Sequence, residues 1–328
     1  MQIIDGLKAW PVLTAFGLAA CGEDSEAGTG SLRVLLEAEE TIAGGLDPGD
    51  EGESIQDGWQ VRYSRFIIAI GEVDIHFATD EHIEAEARDV FAVDLVSLPE
   101  SGLPLWNLEG LRAGRWQFYY SIAGAADATT RHDSVEVADF DQMKDNDWTY
   151  LIEGSLTKAD GRSCPPASLA TGAGVAPAGA ANVGGDPCYS NTEIAFSFGL
   201  SADTVFGPCE IDGVPGVSIA SGGSQTVAAT IHGDHLFFNG FPEGDEGGVT
   251  RLAQWLADSD LDVDGEVTEQ ELETIAPSDL AELDSRYQLG GSPINPIDNM
   301  WTYVRSQMKT QGHMDGEGEC PPDGMPED

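Results

Sequence analysis

Between Ser31 and about Phe238, apolar residues recur at the two-residue spacing of half-buried strands. Leu32-Arg33-Val34-Leu35-Leu36 opens the series, and in Gly58-Trp59-Gln60-Val61-Arg62-Tyr63 the residues Trp59, Val61 and Tyr63 share one face. Phe66–Ile70 is apolar throughout, as in a strand covered on both sides, and Gly71 marks a bend before Val73–Phe77. Val90–Val96, Arg115–Ile122, Trp148–Leu156, Thr192–Leu200 and Ser224–Ile231 complete the predicted strands, divided by Gly, Pro, Asp and Asn turns. Short strands of this kind predict an antiparallel β-sandwich or barrel over residues 31–240. With the helical periodicity that follows at 241–312 and an acidic tail at 313–328, the expected class is α+β. No βαβ alternation, P-loop, dinucleotide fingerprint or internal repeat is present.

After Gly240 the spacing changes to that of helices. Val249–Ala257 carries Leu252, Trp255 and Leu256 on one face, and Glu269–Ile275 carries Leu272 and Ile275. Ser278–Ser285, with Ser278 as N-cap, and Asn295–Met308, entered through Pro293 and Pro296, complete the set. Between the first two helices lies Asp260-Leu261-Asp262-Val263-Asp264-Gly265-Glu266-Val267-Thr268-Glu269-Gln270-Glu271. Calcium takes six to eight oxygens, and this spacing supplies them. Asp260, Asp262 and Asp264 are alternating carboxylates, Glu266 offers its carbonyl, Thr268 its hydroxyl or a water, and Glu271 closes as a bidentate ligand. Gly265 stands where the backbone must turn sharply, and Val267 is the apolar anchor. The stretch and its flanks resemble an EF-hand, which implies calcium and a small α-helical EF-hand module. No second loop of this kind occurs, which favours a structural clamp over a sensor.

The chain carries 15 basic and 58 acidic residues, a net charge of −43. Such a surface repels nucleic acid and anionic headgroups and attracts divalent cations. At the start, Lys8 precedes the apolar run Ala9–Gly17 and then Leu18-Ala19-Ala20-Cys21. The run is too short to span a bilayer and ends in small residues, as signal peptides do. Leu-Ala-Ala-Cys resembles the bacterial lipobox. That resemblance implies a lipoprotein signal peptide over 1–21, an acylated Cys21 and a flexible tether over 22–30. With Gly22 in place of Asp, it also implies a cell-envelope protein held at the outer membrane by lipid. Cys164, Cys188, Cys209 and Cys320 remain, an even number suited to an oxidising compartment. Of their three possible pairings, Cys164–Cys188 with Cys209–Cys320 is favoured, because the first closes the loose stretch Ala167–Ala181 at its base. A thiolate metal site is disfavoured by the absence of CxxC spacing.

Two histidines fall together in Ile231-His232-Gly233-Asp234-His235. In a flat strand, residues three apart face opposite ways, so shared ligation needs a turn, which Gly233 permits. Asp234 can ligate or hold an imidazole tautomer. His76, ending an interior-type strand, is the candidate third nitrogen, and such a set suits copper or zinc. His82, His132 and His313 lie in polar stretches and read as solvated. Beside a secreted β domain, the His cluster is faintly similar to periplasmic copper-binding proteins that partner di-haem enzymes. The similarity implies metal ligation by these histidines and no further residue role. Catalysis finds no GxSxG or HExxH signature, so the expectation is a protein that is not an enzyme. Three functions stay open: an exported, lipid-anchored calcium-binding protein with a binding or structural role; a periplasmic copper- or zinc-binding protein; and a surface module recognising glycan or protein, rigidified by calcium. Trp59, Trp106, Trp116 and Trp148 are the candidate glycan aromatics, although aromatics alternating in strands are ordinarily core.

Overall fold

The computed structural model describes residues 28–50, 52–172, 177–182, 184–241, 248–281 and 286–323. The signal segment, Cys21 and most of the tether lie outside them, as do 282–285 of the third predicted helix. Ten strands carry the argument: β1 (Thr29–Ala38), β2 (Gln60–Phe77), β3 (Leu103–Arg112), β4 (Gly114–Ile122), β5 (Tyr150–Thr157), β6 (Glu193–Leu200), β7 (Ser224–Ile231), β8 (Glu266–Val267), β9 (Gly312–Met314) and β10 (Gly318–Glu319). Two large sheets result. In one, neighbours run β10-β9-β7-β1-β3; in the other, β4-β2-β5-β6-β8. Leu32, Val34 and Leu36 of the first sheet and Val61, Ile68 and Phe118 of the second belong to one continuous core. The chain is thus predominantly β, consistent with a sandwich.

The alternation in sequence reports which face is buried but not the direction of the neighbouring strand. Most pairings are antiparallel, yet β1 runs parallel to β7 and β6 parallel to β8, so both sheets are mixed. The segments expected as three strands between Gly58 and Phe77 are one strand, β2. Register shifts at Tyr63/Arg65 and Gly71/Asp74 absorb what the pattern reads as breaks. β2 can then pair with β5 along its first part and with β4 along its second. Trp59, Trp106 and Trp116 are buried, with the Trp59 indole donating to Gln254 Oε1 at 2.9 Å, and Trp148 is half-buried. These aromatics are core.

Among the described residues, six short α-helices decorate the sheets: α1 (Glu40–Ala43), α2 (Val137–Asn146), α3 (Gln254–Ala257), α4 (Glu269–Thr274), α5 (Pro277–Ala281) and α6 (Met300–Gln307). The helix expected from Val249 begins only at Gln254. Arg251 bridges to Phe238 and the Leu252 N–H donates to the Phe237 carbonyl, which keeps that stretch extended. α6 starts at Met300 rather than Asn295, because Asn299 caps it by accepting from the Thr302 N–H at 2.8 Å. Residues 312–314 and 318–319 join the first sheet beside β7.

Disulfides link Cys164 to Cys188 and Cys209 to Cys320. The first closes a loop with a sequence separation of 24, for which chain entropy gives about 3 kcal/mol. A Cys164→Ala/Cys188→Ala variant should lose about that much stability in urea unfolding. An unchanged unfolding midpoint would show that the loop needs no closure.

Candidate metal centres

The acidic loop is built as a continuation of the second sheet. Gly265 takes φ +90°, the left-handed turn that glycine allows, and the next two residues form β8. β8 pairs parallel with β6, Ala195 opposite Glu266 and Phe196 opposite Val267, and the Ala195 N–H donates to the Gly265 carbonyl at 2.8 Å. Val267 is fully buried. The second sheet thereby supplies the loop with a strand partner.

Asp260 is fully buried. Its Oδ1 accepts from the Asp264 N–H at 3.1 Å, and its Oδ2 from the Gly265 N–H at 3.0 Å and the Asn191 side-chain amide at 2.9 Å. Glu271 folds back over the loop, with Oε1 accepting from the Leu261 N–H at 2.8 Å and Oε2 from the Thr268 hydroxyl at 2.8 Å. Thr268 also caps α4 in a capping box with Glu271. Asp260, Asp262 and Glu271 present oxygens within 4.8 Å of one another, and Asp264 and Thr268 line the same pocket as Asp262 and Glu271. The Glu266 N–H donates to Asp264 Oδ1 at 2.9 Å. Burial pushes the Asp260 carboxyl up to about 6, against the Gly265 N–H and helped by the charge of Glu271. An all-oxygen set of this kind suits a hard cation. Besides Ala195, two supports come from outside the motif: Asn191, and the Thr171 N–H donating to the Leu261 carbonyl at 2.7 Å. Thr171 lies in the loop closed by Cys164–Cys188, so that disulfide braces the acidic loop.

The histidines assemble at the end of β7. His232 follows Ile231, the last residue of that strand, and its N–H donates to the Gln311 carbonyl at 3.0 Å. Gly233 then passes so close to α1 that a Cβ would lie 2.6 Å from Ile42 Cγ1, and the Tyr63 hydroxyl donates to its carbonyl. This turn brings His235 back towards His232, their rings 5.7 Å apart. The third ring is His313, not His76. β9 pairs with β7 so that His313 stands opposite Thr230, which stacks its ring 3.9 Å from that of His232 and sets it 5.4 Å from that of His235. One nitrogen from each of the three rings lies within 4.8 Å of the others. His76 sits in β2 opposite Gln117, on the face away from buried Ile75 and Phe77, with its ring against Tyr119.

His232 and His235 are each 2% exposed, and both ring nitrogens of His313 are buried. The Thr310 hydroxyl donates to the Gln307 carbonyl at 2.8 Å, so it accepts from His235 Nδ1 at 2.9 Å. Burial, and then the neighbouring His235, push the His232 imidazole below its ordinary pKa. Next to it, Glu39 Oε2 lies 3.3 Å from His232 Nδ1 and accepts from the Thr41 hydroxyl at 2.6 Å. Burial and the charge of Asp234 push Glu39 up to about 9. The contact therefore joins a neutral carboxyl to a neutral imidazole. Imidazole nitrogens are donors that copper and zinc accept, so the residues present fit either metal. No protein-family model matches this chain, and neither a curated protein nor a solved structure does.

Calcium binding at the acidic loop would depend on pH through Asp260. Asp260 titrates higher folded than unfolded, so the calcium-free protein loses stability as pH rises from about 4 to about 6. Calcium should offset that loss, adding about 2.7 kcal/mol at a hundredfold excess over its Kd. The calcium-induced rise in Tm should be large at about pH 7.5, smaller at about pH 5, and absent in Glu271→Gln. A rise that is equal at both pH values, or intact in Glu271→Gln, would exclude the loop.

Proposed function

We propose that this chain is an exported, lipid-anchored metal-binding protein of the bacterial envelope, whose buried imidazole centre holds copper or zinc. The observation that carries the reading is the convergence of His232, His235 and His313, drawn from a strand end, a turn and a second strand. Three scattered histidines seldom meet by chance in a core, where an imidazole without a ligand must be satisfied by other polar groups. The contact of His235 Nδ1 with the Thr310 hydroxyl at 2.9 Å fixes the orientation of that ring beside the other two. When bound, the ion would tie β7, the turn after it and β9 into one unit. The chain contributes three imidazole donors, one from each of His232, His235 and His313.

In this reading the acidic loop is an EF-hand-like calcium clamp. Its tie to β6 and to the Cys164–Cys188 loop favours a structural role over a switch. Trp59, Trp106 and Trp116 are buried and pack in the core, which favours the metal-binding reading over glycan recognition by these aromatics.

Metal analysis after copper or zinc loading distinguishes the ligands. His313→Ala should lose one equivalent relative to the parent, whereas His76→Ala should retain the parent value. Retention should fall as pH drops below about 6, where protons compete for imidazole. Equal content in the parent and His313→Ala would refute the centre.

A further inference from the structure

A second set of donors adjoins the histidines without sharing their chemistry. Glu39, His232 and Asp234 each present a ligand atom within 4.8 Å of the other two. Glu39 enters this set from the end of β1, next to His232 at the end of β7, because the two strands run parallel with Ala38 opposite Ile231. Asp234 is fully buried. Its Oδ2 accepts from Arg251, but its Oδ1 has no solvent access and no hydrogen-bond donor among the described residues. A buried carboxylate oxygen left unmatched costs free energy unless a cation or a donor meets it. Glu39 is also the inner member of a trio with exposed Glu53 and Glu317, again within 4.8 Å, so this position reaches solvent through carboxylates.

We infer that Glu39, Asp234 Oδ1 and His232 form a second divalent-metal position, of mixed oxygen and nitrogen donors, lying between the Glu53/Glu317 rim and the three-histidine centre. Once the entering ion displaces the Glu39 proton to solvent, two carboxylates and one imidazole suit zinc, manganese or oxidised copper, and discriminate less between metals than three imidazoles do. The rim gathers a cation from solvent, and the mixed position receives it beside the buried rings. The two positions share His232, whose Nδ1 faces Glu39 Oε2 at 3.3 Å. With both filled, its ring bridges the ions as an imidazolate, its Nε2 gives up the contact with the Gly316 carbonyl and the ring proton leaves to solvent. Glu39 and Asp234 belong to the second set alone, and His313 to the first alone.

The two sets can be separated by zinc titration of the parent, Glu39→Gln and His313→Ala, with calcium in excess to occupy the acidic surface. The readout is tightly held zinc after desalting, with cobalt(II) absorption as a second measure. Glu39→Gln is close to isosteric and leaves the Arg251–Asp234 pair in place, and its thermal melt verifies folding. The expected result is about two equivalents in the parent and about one in each variant. The equivalent lost in Glu39→Gln should be the one with weak, oxygen-rich cobalt absorption. One equivalent in the parent, kept in Glu39→Gln and lost in His313→Ala, would overturn the second position while leaving the histidine centre standing. One equivalent kept in His313→Ala and lost in Glu39→Gln would do the reverse. Two equivalents in Glu39→Gln, or none in the parent, would also overturn it.

Discussion

Strand β7 is hydrogen-bonded on both sides, parallel to β1 and antiparallel to β9, and the arrangement at its end depends on that double pairing. Parallel register ends β1 and β7 at the same level, so Glu39 and His232 emerge side by side, with the Glu39 N–H donating to the Ile231 carbonyl at 3.0 Å. Antiparallel register on the other edge sets His313 opposite Thr230 and delivers its ring to His232. Because a slip of one residue would turn every side chain to the opposite face, the buried Val227, Ala229 and Ile231 that fix the register also fix the donors. The Cys209–Cys320 bond anchors the far end of this hairpin, just beyond β10.

The acidic loop depends on the other sheet in the same manner. A two-residue strand is too short to hold a loop alone, and β8 gains its order from β6 and from buried Val267. The core between the sheets is continuous from Leu32 to Val267, so the two candidate centres are anchored in one packed body. They differ in donor chemistry: oxygen in the loop, nitrogen at the end of β7, with Glu39 and Asp234 supplying carboxylates beside the imidazoles. Hard and borderline cations are sorted by that difference.

What could be read from the sequence was whatever is local. Strand positions followed from alternation, and Ser224–Ile231 was bounded to the residue. The acidic loop was legible because its donors lie within twelve residues, and the His232/His235 pair because one glycine separates the directions of the two rings. Register and long-range pairing were not legible. His313 reads as a solvated residue in a polar tail until β9 is laid against β7. His76 attracts attention as an interior-strand residue, but the alternation around Ile75 and Phe77 already turns it outward. Asn191 carries no motif at all; it matters only because β6 brings its neighbourhood to Asp260. The continuity of β2 was hidden by Gly71, which reads as a break and proves to be a bulge.

The most direct test of the imidazole centre is X-ray absorption on the Glu39→Gln variant loaded with one equivalent of zinc, so that the histidine set is observed alone. The account predicts a first shell dominated by nitrogen at about 2.0 Å, with the outer-shell scattering of about three imidazole rings. A shell of oxygen without imidazole scattering would contradict it.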